Sequence, residues 1–199
     1  MKKTAIIMGV LIIAVLIGGL LWARERNQPA NTAEWATYIG HELGFQIKHP
    51  REWRHEHCLT DGFGIVGFGE GEEQLLICNS DAPPLSYVNV AVVGLASDYD
   101  TLVKNLSEGL EDSKREDILV AGQNAVKISG ETPEPGEGPG LPEGIKQTYI
   151  ALTHNNKIYL LMHFNLENKN YIKEFNGMVQ SFQFIDSVPP AGGSPTPSN

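Results

Sequence analysis

Apolar and polar residues alternate with a period of two along most of the chain, and that period marks strands. Phe45 and Ile47 alternate with Gln46 and Lys48 before His49-Pro50, where the proline, lacking an N–H, ends or edges the strand. Short apolar runs at 63–68 and 75–78 are separated by GEGEE, a hairpin-type connection. Val88, Val90 and Val92 alternate with Asn89 and Ala91, which predicts a strand with one buried face. Runs at 118–121 and 125–128 flank Gly122-Gln123-Asn124 as a turn. Runs at 145–153 and 157–164 flank His154-Asn155-Asn156 as a hairpin, with Ile158, Leu160, Met162 and Phe164 on one face.

The period changes twice. Tyr99, Leu102, Val103, Leu106 and Leu110 form one helical stripe, with Ser97 or Asp98 as N-cap and Ser97 three residues before Asp100 as a capping box. Tyr171, Phe175, Met178, Val179 and Phe182 form a second stripe after Asn168. Strands, helix, strands, helix is the order of an α+β domain with an antiparallel β-sheet flanked by helices. Residues 131–144, ETPEPGEGPGLPEG, interrupt this pattern with four prolines and cannot pack as a strand.

Both ends of the chain depart from the globular pattern. Two lysines precede an uncharged run at residues 5–23, and nineteen residues at a rise of about 1.5 Å can cross a hydrocarbon core of roughly 30 Å. A cleaved secretory peptide is the rival reading, but its apolar core is usually only about 7–15 residues long. This run is longer, ends in Trp22 and is followed by Arg24 and Arg26, so residues 1–26 are expected to be an uncleaved signal anchor, a single transmembrane helix in the cell membrane. Lys2, Lys3 and the α-amine outnumber Arg24 and Arg26, which favours an extracytoplasmic domain. Residues 27–37 read as a linker, 38–186 as the folded domain, and 187–199, rich in Pro, Gly and Ser, as a disordered tail.

Charge narrows the partners. Beyond residue 26 there are 11 Lys and Arg against 23 Asp and Glu, a net charge of −12, so a nucleic-acid partner is excluded for want of concentrated basic residues. The two cysteines, Cys58 and Cys78, are expected to form a disulfide in an exported domain.

Several local strings resemble the PsbP-like family. GFQIKHPREW at 44–53 is similar to its Gly-Phe-x-Ile-x-x-Pro strand followed by Trp; TLVKNLSEGL, GQNAVKISG, YIALTHNNKIYLLMHF and the closing MVQSFQF continue the likeness over residues 38–186. The resemblance implies an α-β-α sandwich around an antiparallel sheet. Founding members of the family are extrinsic lumenal subunits that help assemble and stabilise photosystem II, and bacterial relatives are often exported. The quoted strings are core and turn residues, so they mark a fold and no active site. The N-terminal anchor and the 131–144 insertion depart from the photosynthetic members, and photosystem binding is not carried over.

Candidate chemistry is sparse. His55 and His57, two apart in a strand, share a face and could ligate a metal, with Cys58 on the other face; a solvated edge strand is the competing reading. From His55 to Val103 there is no Lys or Arg. Asp61, Glu70, Glu72 and Glu73 of that stretch, with Glu131, Glu134, Glu137 and Glu143 of the Pro-rich loop, form a candidate acidic interaction surface. There is no EF-hand loop, phosphate loop or nucleophile elbow. His41, His154 and His163 read as turn or surface residues. The expectation is a non-enzymatic, membrane-tethered PsbP-like interaction module that aids assembly or stability of an envelope protein complex, without a cofactor. A metal- or small-ligand-binding envelope protein is the alternative.

Overall fold

A computed structural model describes residues 31–60, 63–71, 87–133, 142–166 and 169–185. The expected membrane anchor and C-terminal tail, the 75–78 run, Cys78 and Asn168 lie outside the described residues. Among the described residues, no helix is long and apolar enough to cross a membrane.

In chain order the elements are β1 (Ala36–Gly40), β2 (Phe45–His49), β3 (Arg54–Thr60), β4 (Phe63–Gly69), β5 (Val88–Leu95), α1 (Tyr99–Glu108), β6 (Glu111–Val120), β7 (Gln123–Glu131), β8 (Lys146–His154), β9 (Lys157–Phe164), α2 (Ile172–Ser181) and β10 (Gln183–Phe184). Seven strands form one antiparallel sheet in the order β3-β4-β5-β9-β8-β7-β6, and a small sheet has the order β1-β2-β10. This is the expected antiparallel α+β architecture, with a second small sheet that the pattern did not separate from the first.

The strand period sorts the core into two layers. Tyr159 and Leu161 of β9 join Phe45, Trp53, Phe68, Phe175 and Met178 on the α2 face, while Leu160, Met162 and Phe164 join Val103 and Ile128 on the α1 face. The central strands are therefore covered on both sides. Residues Val88–Val92 are all buried, which corrects the expectation of a single buried face; one helix packs on each side of the sheet, so neither face is left to solvent.

The ends of the elements differ from their sequence signals in three places. The polar linker is shorter than expected: Ala36 and Thr37 already pair with His49 and Lys48, and the half-buried Trp35 ring packs on α2 where a Cβ on Gly177 would lie 2.9 Å from it. At the start of α1 no side chain caps the helix, and Ser97 Oγ reaches only Asp98 Oδ1 at 3.5 Å. A 3-10 turn leads into α1, so Asp98 (φ −97°, ψ 2°) lacks the extended backbone from which a capping side chain reaches back. The helix is held instead by the Tyr99 hydroxyl, which donates to the Ala151 carbonyl at 3.0 Å.

The third difference is the β6–β7 turn, which consists of Ala121 and Gly122 alone, at φ 50° and 76°. Two left-handed residues make the tight turn whose twist suits a hairpin, so Gln123 and Asn124 belong to the strand. The β8–β9 turn has the same form but carries Asn155 and Asn156, which tolerate that backbone. Alanine does not, at a cost of roughly 1–2 kcal/mol. Ala121→Asn is therefore expected to stabilise the protein by about 0.5–1 kcal/mol in urea unfolding. No gain in midpoint would contradict this turn assignment.

Strand β6 closes one edge with seven exposed residues in a row, a bulge between Glu111 and Lys114, and charges of both signs. Charges and bulges on an edge strand oppose pairing with another chain.

Candidate functional site

The sequence-predicted histidine pair lies on β3 at the opposite edge. His55 and His57 do share a face, since they pair with Phe68 and Val66 of β4, and Cys58, opposite Ile65, points the other way. His55 also meets rings from outside the strand. His49, at the end of β2, is buried, and its ring centroid lies 5.5 Å from that of His55. The Tyr38 ring meets His55 edge-on at 4.9 Å, and Phe68 lies behind them. His49 Nδ1 is 2.9 Å from the Pro50 carbonyl, which occupies that nitrogen as a donor. Burial lowers the pKa of His49; burial and then the neighbouring His57 lower that of His55. Among the described residues no three His, Cys, Asp or Glu side chains are placed to hold a metal ion. No cysteine among the described residues is free, and Cys78 lies outside them.

The acidic set is only partly described; Asp61, Glu72, Glu73, Glu134 and Glu137 lie outside the described residues. Glu70 is committed to structure. Lys169 Nζ donates to its Oε1 at 2.9 Å and to the Tyr87 hydroxyl at 3.2 Å, and the Tyr171 hydroxyl also donates to Glu70 Oε1. The Tyr171 hydrogen bond and then that from Lys169 hold the Glu70 carboxyl below its ordinary pKa, and Lys169 is raised in turn. Glu131 lies 3.9 Å from Lys146, and Glu143 is exposed.

Strand register decides where these acids sit. His55, Phe68, Val88, His163, Thr148, Ser129 and Lys114 are successive cross-strand partners, one row spanning all seven strands. Glu70, Glu131 and Lys146 all lie beyond that row on the same side. The chain thus leaves β4 and returns to β5, and leaves β7 and returns to β8, at one end of the sheet. Thr132 N donates to the Ile145 carbonyl at 2.9 Å, and Gly144 N to the Thr132 carbonyl at 3.0 Å, closing the base of the Pro-rich loop. Four strand spacings separate β4 from β7, about 19 Å at roughly 4.8 Å each.

Beside the second of these departures, on the α2 face, lies a recess of about 410 Å³ lined by β6–β9 and the start of α2. Its floor is the stretch of that row formed by Ser129, Thr148 and His163, and its wall includes Asn165 and Asn170 before α2. Ser129 Oγ and Thr148 Oγ1 are 3.4 Å apart, and Asn170 Oδ1 accepts from the Ile172 N–H at 3.1 Å. His163 is 4 % exposed, with its ring 5.5 Å from that of Phe175. Burial pushes its pKa down to about 4, so the imidazole is neutral at pH 7. Its Nε2 and Asn165 Oδ1 are buried, with no partner among the described residues.

This corrects the reading of His163 as a turn or surface residue. The signal was present: in KIYLLMHF, His163 falls on the same face as Tyr159 and Leu161, and a polar residue on the buried face of an apolar strand needs a reason. His41 is exposed between β1 and β2, and the ring of His154 stacks on Phe184 at 3.8 Å.

No protein-family model and no curated protein matches the chain. Among solved structures it is similar to the solution structure of cyanobacterial PsbP (CyanoP) from Synechocystis sp. PCC 6803, at 14 % identity and a TM-score of 0.46, covering 78 % of this chain and 95 % of that one. It is also similar to a crystal structure from Bacteroides thetaiotaomicron VPI-5482, at 11 % identity and a TM-score of 0.43, covering 77 % of this chain and 49 % of that one.

Proposed function

We propose that the chain is a membrane-tethered, extracytoplasmic PsbP-like module that performs no chemistry and holds a basic protein partner, aiding assembly or stability of an envelope complex. The apolar run at 5–23 supplies the tether, and a Cys58–Cys78 bridge suits the oxidising compartment. The family resemblance in residues 38–186 supports the module. One structural observation carries the partner reading: the two acidic segments, 70–87 and 131–145, depart from the same end of the sheet. Together they hold Glu70, Glu72, Glu73, Asp81, Glu131, Glu134, Glu137 and Glu143 and no Lys or Arg. Such a surface steers a basic partner and loses it as salt rises.

The structure shows where to cut for a test. Replacing residues 134–141 with a short Gly-Ser link keeps the Thr132–Ile145 and Gly144–Thr132 bonds that close the base of the loop. The replacement is expected to leave the melting temperature unchanged. In pull-downs from detergent-solubilised native membranes, it should lower recovery of a specific partner several-fold at low salt. Equal recovery by both proteins at low and moderate salt would refute the partner reading.

The recess over His163 favours a second reading, a small-ligand-binding envelope protein, because His163 Nε2 and Asn165 Oδ1 are buried with no partner among the described residues.

A further inference from the structure

We propose that the recess between strands β6–β9 and the start of α2 binds an uncharged, hydroxyl-rich small molecule of the sugar or polyol class. This develops the second reading above and does not depend on a protein partner.

The site is built rather than incidental. Ser129, Thr148 and His163 sit in register on three adjacent strands of the central sheet, so their spacing is set by the hydrogen-bond ladder and not by a loop. A fold that buries a polar atom without a partner gives up roughly 1–3 kcal/mol. Here two such atoms, His163 Nε2 and Asn165 Oδ1, belong to residues that line one recess. Phe or Leu at position 163 would fit the apolar pattern of β9 without that cost.

The chemistry of the lining selects the ligand. Asp112 and Glu131 at the mouth are matched by Lys114 and Lys146, so the rim offers no net charge to an ionic ligand. An anion drawn by the two lysines would meet both carboxylates. The floor consists of two hydroxyls and an imidazole without charge, and the wall adds the Asn165 amide. Hydroxyls both donate and accept, and the amide and neutral imidazole offer one group of each kind. A ligand hydroxyl likewise donates and accepts, and can satisfy the carbonyl oxygen of Asn165 and Nε2 of His163 in either tautomer. The volume of about 410 Å³ lies within the usual range of roughly 300–1,000 Å³ for small-molecule sites.

The test titrates the full chain, held in a sugar-free detergent, with glucose, N-acetylglucosamine and myo-inositol as neutral probes, and with inorganic phosphate and glutamate as charged ones. Binding is read from the His163 ring signals by NMR and from the melting temperature. Expected is a saturable shift of the His163 signals by at least one neutral probe with millimolar Kd, and none by phosphate or glutamate. His163→Phe and, independently, Thr148→Val should each weaken the binding detected by melting temperature at least tenfold, about 1.4 kcal/mol. Neither variant should melt below the wild type by more than a few degrees. Thr148→Val keeps the test decisive if the phenylalanine does not fit. Absence of saturation by every neutral probe, response to the charged probes alone, or unchanged affinity in a folded Thr148→Val protein would each overturn the proposal. Loss of sugar binding would leave the protein-partner reading untouched, because the 134–141 replacement tests that separately.

Discussion

Replacing Trp53 with alanine is expected to lower the unfolding free energy by about 3–5 kcal/mol, the usual cost of removing a large buried aromatic. Trp53 is 4 % exposed and closes the GFQIKHPREW string. Its ring meets Tyr171 edge-on at 5.1 Å and Tyr87 at 6.4 Å, and its backbone N–H donates to the Pro50 carbonyl at 3.0 Å. Those contacts join the turn after β2, the start of β5 and the entry to α2, three places far apart in sequence. The cavity left by the indole would also loosen the Tyr171 and Tyr87 rings, whose hydroxyls bind Glu70 and Lys169. Urea unfolding of the two proteins measures the effect. Leu119→Ala, at a side chain 72 % exposed, is the control and should change stability by no more than about 0.5 kcal/mol. A loss below about 1 kcal/mol for Trp53→Ala would show that the indole is not a core anchor.

The second large effect is on the pH dependence of stability. The imidazole of His163 has a folded pKa of about 4, because burial disfavours the cation, against about 6.5 for an unfolded histidine. Between those values the unfolded chain binds more protons than the native one, so stability falls as pH drops from 6.5 towards 4. At about 1.36 kcal/mol per unit, the loss between pH 7.5 and 4.5 attributable to this residue is roughly 2–3 kcal/mol. His49 and His55 are also lowered and act in the same sense, and carboxylates add their own acid dependence. The comparison that isolates His163 is therefore between the wild type and His163→Phe. The variant is expected to gain about 2–3 kcal/mol on the wild type as pH falls from 7.5 to 4.5. Parallel stability curves across that range would mean that His163 is protonated in the native state or open to solvent.

Both residues show how much of the molecule local pattern could reveal. Trp53 was legible because an aromatic just after a proline stop, flanked by the alternation of β2, has few uses other than packing. The helix stripes at Tyr99–Leu110 and Tyr171–Phe182 were legible for the same reason: their periods match the faces that join the two core layers. The sharing of a face by His55 and His57 followed from the two-residue period alone.

What local pattern could not show is which strands become neighbours. His49 lies beside His55 only because the small β1-β2 sheet folds over the edge of the large one. The charges of EDSKREDILV in β6 hid a strand, since an edge strand keeps its residues in water and has no apolar period to display. The seven residues of the row from His55 to Lys114 are scattered over more than half the chain. Period and turn chemistry are local properties, so the sequence by itself determined the α+β class, the two helix faces and the acidity of the two connecting segments. Strand order and register depend on burial summed over the whole chain. Only the tertiary structure therefore decided that both acidic segments leave one end of the sheet, and that a histidine from an apolar strand joins a threonine and a serine in one row on the floor of a recess.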